Sequence, residues 1–252
     1  MPEDYPINAA RFALALCEQR SLGLKGGLYH LTQILMAYNT NRIEGSQLSA
    51  DQTRYIYETR TVSGDAVNVD DLVEMVNSFD LFDMMIDKLS LPLTADLLKQ
   101  YHRVLKTGTA HSRMQWFAVG DWKRVPNAVG DTATTPPELV DAAVTELLAR
   151  YPEASQMSFE DIVDFHHAFE LIHPFQDANG RIGRLVMFSQ CLQAGIMPFV
   201  VLDSHKAFYY RGLARYQAEP GFLRDTLRSF QDDYYGRFAQ YVPLVPSASH
   251  AV

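Results

Sequence analysis

The side chains best equipped for chemistry crowd into one segment, His173-Pro174-Phe175-Gln176-Asp177-Ala178-Asn179-Gly180-Arg181-Ile182-Gly183-Arg184. An imidazole with a reference pKa near 6.5 is about three-quarters neutral at pH 7, so His173 is available as a base. Asp177 offers the kind of oxygen a hard cation prefers, since Mg²⁺ is held by one or two carboxylates plus substrate phosphates. Arg181 and Arg184 stand three apart, one above the other, where a helix begins. A cation there opposes the macrodipole by about 0.3–1 kcal/mol. An anion offsets that cost, and a polyphosphate suits both the arginines and the unpaired N–H groups of a helix N-terminus. Simple capping by Asp177 or Asn179 accounts for either residue alone but not for the arginines. The set reads as a nucleotide site with a proton acceptor beside it.

Two helices must position this segment. Ser158 with Asp161 forms a capping box, and Ile162, Val163, Phe165, Phe169 and Ile172 then recur at helical spacing. Pro174 drives the preceding residue out of the α region, so that helix stops at His173. Downstream, Ile182, Leu185, Val186, Phe188 and Leu192 mark a second apolar helix, closed by Gly195 with Pro198 beyond. The tight turn from Asp177 to Gly180 opens onto its N-terminus.

This stretch resembles the signature of the Fic domain, His-x-Phe-x-(Asp/Glu)-Gly-Asn-Gly-Arg-x-x-Arg, at every position except Ala178, where the family has glycine. A turn that needs φ > 0 would strain at that alanine. The resemblance implies transfer of AMP from ATP, with Mg²⁺, to a hydroxyl of a target protein. By that carry-over His173 deprotonates the hydroxyl and Asp177 holds the metal. Ala178, Asn179, Gly180 and the turn backbone cradle phosphates, Arg181 supports developing charge, and Arg184 meets the γ-phosphate. A second motif lies upstream: Thr40-x-x-x-Glu44-Gly45 matches the family's inhibitory pattern (Ser/Thr)-x-x-x-Glu-(Gly/Asn). The resemblance implies that Glu44 pairs with Arg184 and blocks productive ATP binding. Glu44 is also a misfit in its own right, a carboxylate in the last turn of a helix, opposing the dipole as Arg184 does at its own helix start.

At 252 residues, the chain is long enough for a sizeable core. A net charge of −8 argues against a nucleic-acid surface. Cys17 and Cys191 both fall in apolar helical segments and read as core residues of a reducing cytoplasm. No secretory signal or bilayer-length apolar run is visible. The expected location is cytoplasmic, with no membrane.

The rest of the chain reads as helices. Phe12, Leu16 and Cys17 mark the first. Leu28, Leu31, Leu35 and Tyr38 form one face of the second, which runs over 28–44 and ends at Gly45. Caps at Ser49, Asn68 and Thr94 open three more. Between Thr107 and Pro137 the helical period vanishes. Aromatic and β-branched residues flank Gly120-Asp121 there, so a small hairpin turning at those two residues is expected. In position it resembles the Fic flap over 114–135, whose strand edge holds the target segment. Asn127, Ala128, Val129 and Gly130 are its nucleotide-facing part, and Lys123 takes the place of the usual arginine. Pro136-Pro137 starts another helix. Tyr209-Tyr210 and Leu213 mark a further one, and Leu223, Leu227, Phe230, Tyr234 and Phe238 the last. By resemblance, Tyr209 and Gln217 lie around the adenine, although Tyr209 serves a core equally well.

The expected architecture is a mostly α Fic-type helical bundle with a small β-hairpin flap. It comprises an N-terminal helical region (1–100), a core (101–242) and a flexible tail (243–252). The expected activity is autoinhibited AMP transfer. Removal of AMP, phosphotransfer on the same site, or a nucleotide-binding module are the alternatives, and the resemblance also allows a homodimer. A di-iron reading of Glu170-x-x-His173 fails because no second such pair exists.

Overall fold

Side-chain caps set five of the ten α-helix starts among the described residues. The computed structural model describes residues 5–64, 67–130 and 132–244. Asn8 accepts from the Arg11 N–H to open α1 (Ala9–Leu22), and α2 (Leu28–Ile43) follows the glycine break. A full Ser49–Gln52 capping box starts α3 (Ala50–Thr59), Asn68 starts α4 (Val69–Asp87) and Thr94 starts α5 (Ala95–Lys106). After a long irregular stretch come the two-residue strands β1 (Ala128–Val129) and β2 (Thr132–Ala133), antiparallel with Ala128 opposite Ala133. Pro137 leads a single 3-10 turn into α6 (Val140–Arg150). The Ser158–Asp161 capping box opens α7 (Phe159–Ile172), and α8 (Asn179–Gln193) follows six residues later. The chain continues through α9 (Lys206–Arg215) and α10 (Gly221–Phe238). This is the mostly α bundle expected.

The α7–α8 hairpin sits at the centre, with α8 packed by α1, α2, α4 and α5 and α7 packed by α6 and α10. Phe82, Leu105, Phe169, Ile182, Leu185, Phe188 and Tyr234 belong to one continuous buried cluster, to which α1 adds Phe12 and Leu16. Residues on both sides of position 100 therefore share one core. A smaller cluster of Ala37, Leu48, Ile56, Met75 and Phe79 ties α2 to α3 and α4. Cys17 and Cys191 are both free, Cys191 fully buried.

Three expectations change. The buried side of α2 is not the Leu28–Leu31–Leu35–Tyr38 stripe. Leu28 is buried, but so are Thr32, Gln33, Asn39, Thr40 and Asn41, because helices close over α2 on most sides and its polar groups hydrogen-bond inside. The hairpin does not turn at Gly120-Asp121. Gly120 adopts φ 72° to donate its N–H to His102 Nδ1 at 2.9 Å, and the strands instead flank Gly130 at φ 56°. The aromatic residues around Gly120 serve packing: Phe117 and Trp122 are buried, so this segment is a wall of the core and not a ladder. Of the expected tail, residues 243–244 close a 3-10 turn that begins at Ala239, and 245–252 lie outside the described residues.

Candidate active site

The turn between α7 and α8 is held by its own side chains. His173 caps α7 in the left-handed region, φ 51° and ψ 60°, which redirects the chain at Pro174. Phe175 is fully buried and lies parallel to the His102 ring, 4.3 Å between centroids. Asn179 closes the loop from inside. Its Oδ1 accepts the Phe175 N–H at 2.8 Å and its amide donates to the Phe175 carbonyl at 2.8 Å. The flap segment is stitched on from the other side, with Lys123 N–H to the Pro174 carbonyl at 2.9 Å and the Asn127 amide to the Phe175 carbonyl at 3.0 Å. The turn is thus fixed before any ligand arrives.

Ala178 is the N-cap of α8 and sits at φ 71°, ψ 10°, buried. The left-handed region costs an L-residue about 1–2 kcal/mol, while glycine costs about 0.4–1 kcal/mol in extra unfolded-chain freedom. Ala178→Gly is therefore expected to raise unfolding free energy by about 0.5–1 kcal/mol, measured by urea denaturation.

Around this turn the charges pair off. Arg184, on the second turn of α8, gives its Nε to Thr40 Oγ1 at 2.9 Å and its Nη2 to Glu44 Oε1 at 2.6 Å and the Thr40 carbonyl at 3.2 Å. The Glu44 carboxylate reaches so far over the helix start that a Cβ on Gly180 would collide with it. Gly180 is thus needed for close approach. Glu44 stands where an anion belongs, at the N-terminus of α8. Burial disfavours the Arg184 charge, yet Glu44, Tyr209 and Glu170 together more than offset this and raise its pKa. Arg181 is buried too, bonded to Glu74 and, at 3.3 Å, to Asn41 Oδ1. Asp177 places Oδ2 2.6 Å from Lys106 Nζ and 3.4 Å from Arg181 Nη2. Burial would raise its pKa, but Arg181 and Lys106 prevail and hold it well below the usual carboxylate range.

Several residues take places that their expected roles do not require. Asp177, expected as the metal ligand, is an ion-pair partner of Lys106, and its Oδ1 takes the Ala178 N–H. No group of three or more His, Cys, Asp or Glu side chains among the described residues is arranged to hold a metal. A metal at Asp177 would therefore depend on ligands from a bound molecule. Asn179 and Asn127 spend their amides on the loop, so neither side chain faces a phosphate. Ala128, Val129 and Gly130 are exposed along the hairpin. Tyr209 is buried behind Arg184, 6.0 Å from its guanidinium, with its hydroxyl 2.7 Å from His166 Nε2. It packs as core, and its neighbour Tyr210 is the exposed ring. Gln217 lies exposed in the turn after α9.

Residues 92–191 match the profile of the Fic/DOC family. That segment is similar to Fic domains. Sequence relatives include proteins named protein adenylyltransferase Fic from Nematostella vectensis, 29% identical over 203 residues, and protein adenylyltransferase fic-1 from Caenorhabditis elegans, 26% identical over 229 residues. The matches cover 76% and 86% of this chain but 44% and 43% of those proteins, so the chain spans less than half of their length. Similar solved structures include a Fic domain containing signaling protein from Bacteroides thetaiotaomicron, with TM-score 0.67 at 20% identity, covering 91% of this chain and 92% of that one. Fic-1 (residues 134–508) from C. elegans has TM-score 0.67 at 22% identity, covering 96% of this chain and 73% of that one.

Several charged residues around this turn are hidden in the sequence. Lys106 and Glu74 each lie at the edge of an apolar helix stripe and look like ordinary surface charges. The available signal is a charge next to that stripe, Lys106 beside Leu105 and Glu74 beside Met75. Glu170 and His166 stand out only through the rejected di-iron pattern. They sit 3.9 Å apart under Gly183, behind Arg184. Burial, reinforced by Glu44 and opposed by Arg184, pushes the Glu170 carboxyl up to about 7, and burial with Arg184 pushes His166 down to about 3. A carboxyl with a raised folded pKa stabilises the fold below its unfolded value, and that stability is lost as pH rises through the folded pKa. His166 titrates the other way, its contribution being lost as pH falls below about 6.5. The two partly cancel in the native protein. Glu170→Gln should therefore gain on the native chain by about 3 kcal/mol between pH 4.5 and 8, read from urea midpoints across that range.

No helix among the described residues is long and apolar enough to cross a membrane.

Proposed function

We propose that this chain is an autoinhibited protein adenylyltransferase, moving AMP from ATP to a Ser, Thr or Tyr hydroxyl of a target protein or of itself. The observation that carries this reading is the clasp of Thr40 and Glu44 on Arg184, beside an imidazole whose tautomer is set. His173 Nδ1 lies 3.3 Å from the Glu170 carbonyl, which only accepts, so Nδ1 is the donor and Nε2 keeps its lone pair. Burial, with Lys123 contributing, lowers the His173 pKa below 6.5, which keeps the ring neutral at pH 7. Nε2 takes the proton of the target hydroxyl, the hydroxyl oxygen attacks the α-phosphorus, and pyrophosphate leaves. The first-turn N–H groups of α8 receive the phosphate charge. Asp177 is the carboxylate on hand for the Mg²⁺ that accompanies ATP. In the resting state Glu44 holds the arginine that the γ-phosphate needs.

The flap would present the target segment. Lys123, pushed down to about 8 by burial, braces it through Asn127 Oδ1 at 2.7 Å and Thr134 Oγ1 at 2.6 Å. Two free cysteines suit a cytoplasmic location. The test supplies ATP labelled at the α- or the γ-phosphate to the native chain and to Glu44→Gly. Label from the α-position alone supports AMP transfer. Label from the γ-position overturns it in favour of kinase chemistry, and none from either leaves a nucleotide-binding module.

A further inference from the structure

Four charges beside the signature turn form a closed ring, its two cations buried and its two carboxylates partly exposed. Lys106 is the last residue of α5, and its side chain is 1% exposed. Its ammonium bridges Glu74 and Asp177, the latter at 2.6 Å. The other oxygen of Glu74 binds Arg181, which returns to Asp177 at 3.4 Å. Two cations alternate with two carboxylates, so the ring is neutral. The Phe117 ring covers the ammonium on another side, 5.6 Å away, and shields it from water.

We propose that Lys106 is a resident countercharge that sets when Asp177 accepts a divalent cation, so that the metal enters with a nucleotide's phosphates and not ahead of them. This rests on the reading of Asp177 as a metal ligand under the proposed function. A divalent ion on Asp177 adds two positive charges to a ring already balanced, beside a buried ammonium on the same oxygen. Phosphate oxygens bring the missing negative charge and further ligands, as a hard six-coordinate cation requires. Removing the ammonium leaves a net charge of one negative, and the free ion then gains a partner. Arg181 does not substitute for it, since Glu74 and Asn41 hold that side chain.

The experiment titrates the whole chain with Mn²⁺ alone and reads free Mn²⁺ by electron paramagnetic resonance, without turnover. The native chain is expected to bind Mn²⁺ only weakly, and to bind it well once a non-hydrolysable ATP analogue is added to Glu44→Gly. Lys106→Met is expected to tighten nucleotide-free binding by at least about tenfold, the scale of one nearby unit charge at intermediate dielectric. Lys106→Gln, which keeps hydrogen-bonding capacity toward both carboxylates, should do the same if the methionine fails to fold. Lys106→Arg should stay weak. Lys106→Met with Glu74→Gln restores neutrality and should lose the gain, as should Lys106→Met with Asp177→Asn. Unchanged affinity in folded Lys106→Met or Lys106→Gln, or a gain that survives Asp177→Asn, overturns the proposal. Because the readout needs no AMP transfer, its failure is separate from a failure in the double-label assay.

Discussion

Glu44→Gly is expected to raise AMP transfer about ten- to a hundredfold. The substitution removes a charge-assisted hydrogen bond of 2.6 Å to a buried guanidinium. Such bonds are worth about 1.5–3 kcal/mol, and each ~1.4 kcal/mol is a factor of ten in occupancy. Arg184 is left charged, desolvated and still oriented by the Thr40 hydroxyl and carbonyl. An unpaired buried cation is costly, so the site gains a driving force to take up an anion. The variant should lose stability without ligand and regain it with ATP. Transfer of α-phosphate label is one measurement and the ATP-dependent shift in melting temperature the other. An unchanged rate with tighter ATP binding would separate nucleotide entry from the step that limits turnover.

The second large effect is at the base. His173→Ala in the Glu44→Gly background should cut transfer about a hundred- to ten-thousandfold, the usual worth of a positioned general base, with ATP affinity unchanged. The backbone complicates the choice of variant. His173 sits at φ 51°, where alanine is strained and asparagine is better tolerated. His173→Asn therefore serves as the cleaner variant. It keeps the turn, removes the proton acceptor, and should show the same loss in labelled product. In the native histidine form the acid limb of activity should lie lower than an ordinary imidazole would give, because burial disfavours the charged ring.

Local signals carry much of the fold and the heart of the site. Caps at Ser49, Asn68, Thr94 and Ser158 are legible because each touches only its own first turn. The end of α7 at His173 also follows from the proline after it, but the left-handed backbone of His173 and Ala178 does not, since a following proline and an N-cap position each favour extended backbone. What stays hidden depends on distant chain. Lys106 meets Asp177 across 71 residues and Arg181 meets Glu74 across 107. Nothing in the spacing within either helix encodes such a meeting. The true turn of the hairpin is obscured for a related reason. Trp122 and Phe117 look like strand residues, but Phe175 and His102 recruit them into a stack that no local pattern reveals. Tyr209 is likewise drawn inward by His166.

The residues proposed as inhibitory hang from a helix that cannot leave. Leu28, Met36 and Ile43 of α2 belong to the main core, and Ala37 to the smaller one, so withdrawing α2 would dismantle the fold. Glu44, however, is already past the last helical residue, 31% exposed, and is followed by Gly45 at φ 101°. Release thus requires only that one terminal residue unwind, a small local excursion with Thr40 still in place. Under the proposed inhibition, an activator need grip no more than the loop at Gly45, and it can let go without refolding anything.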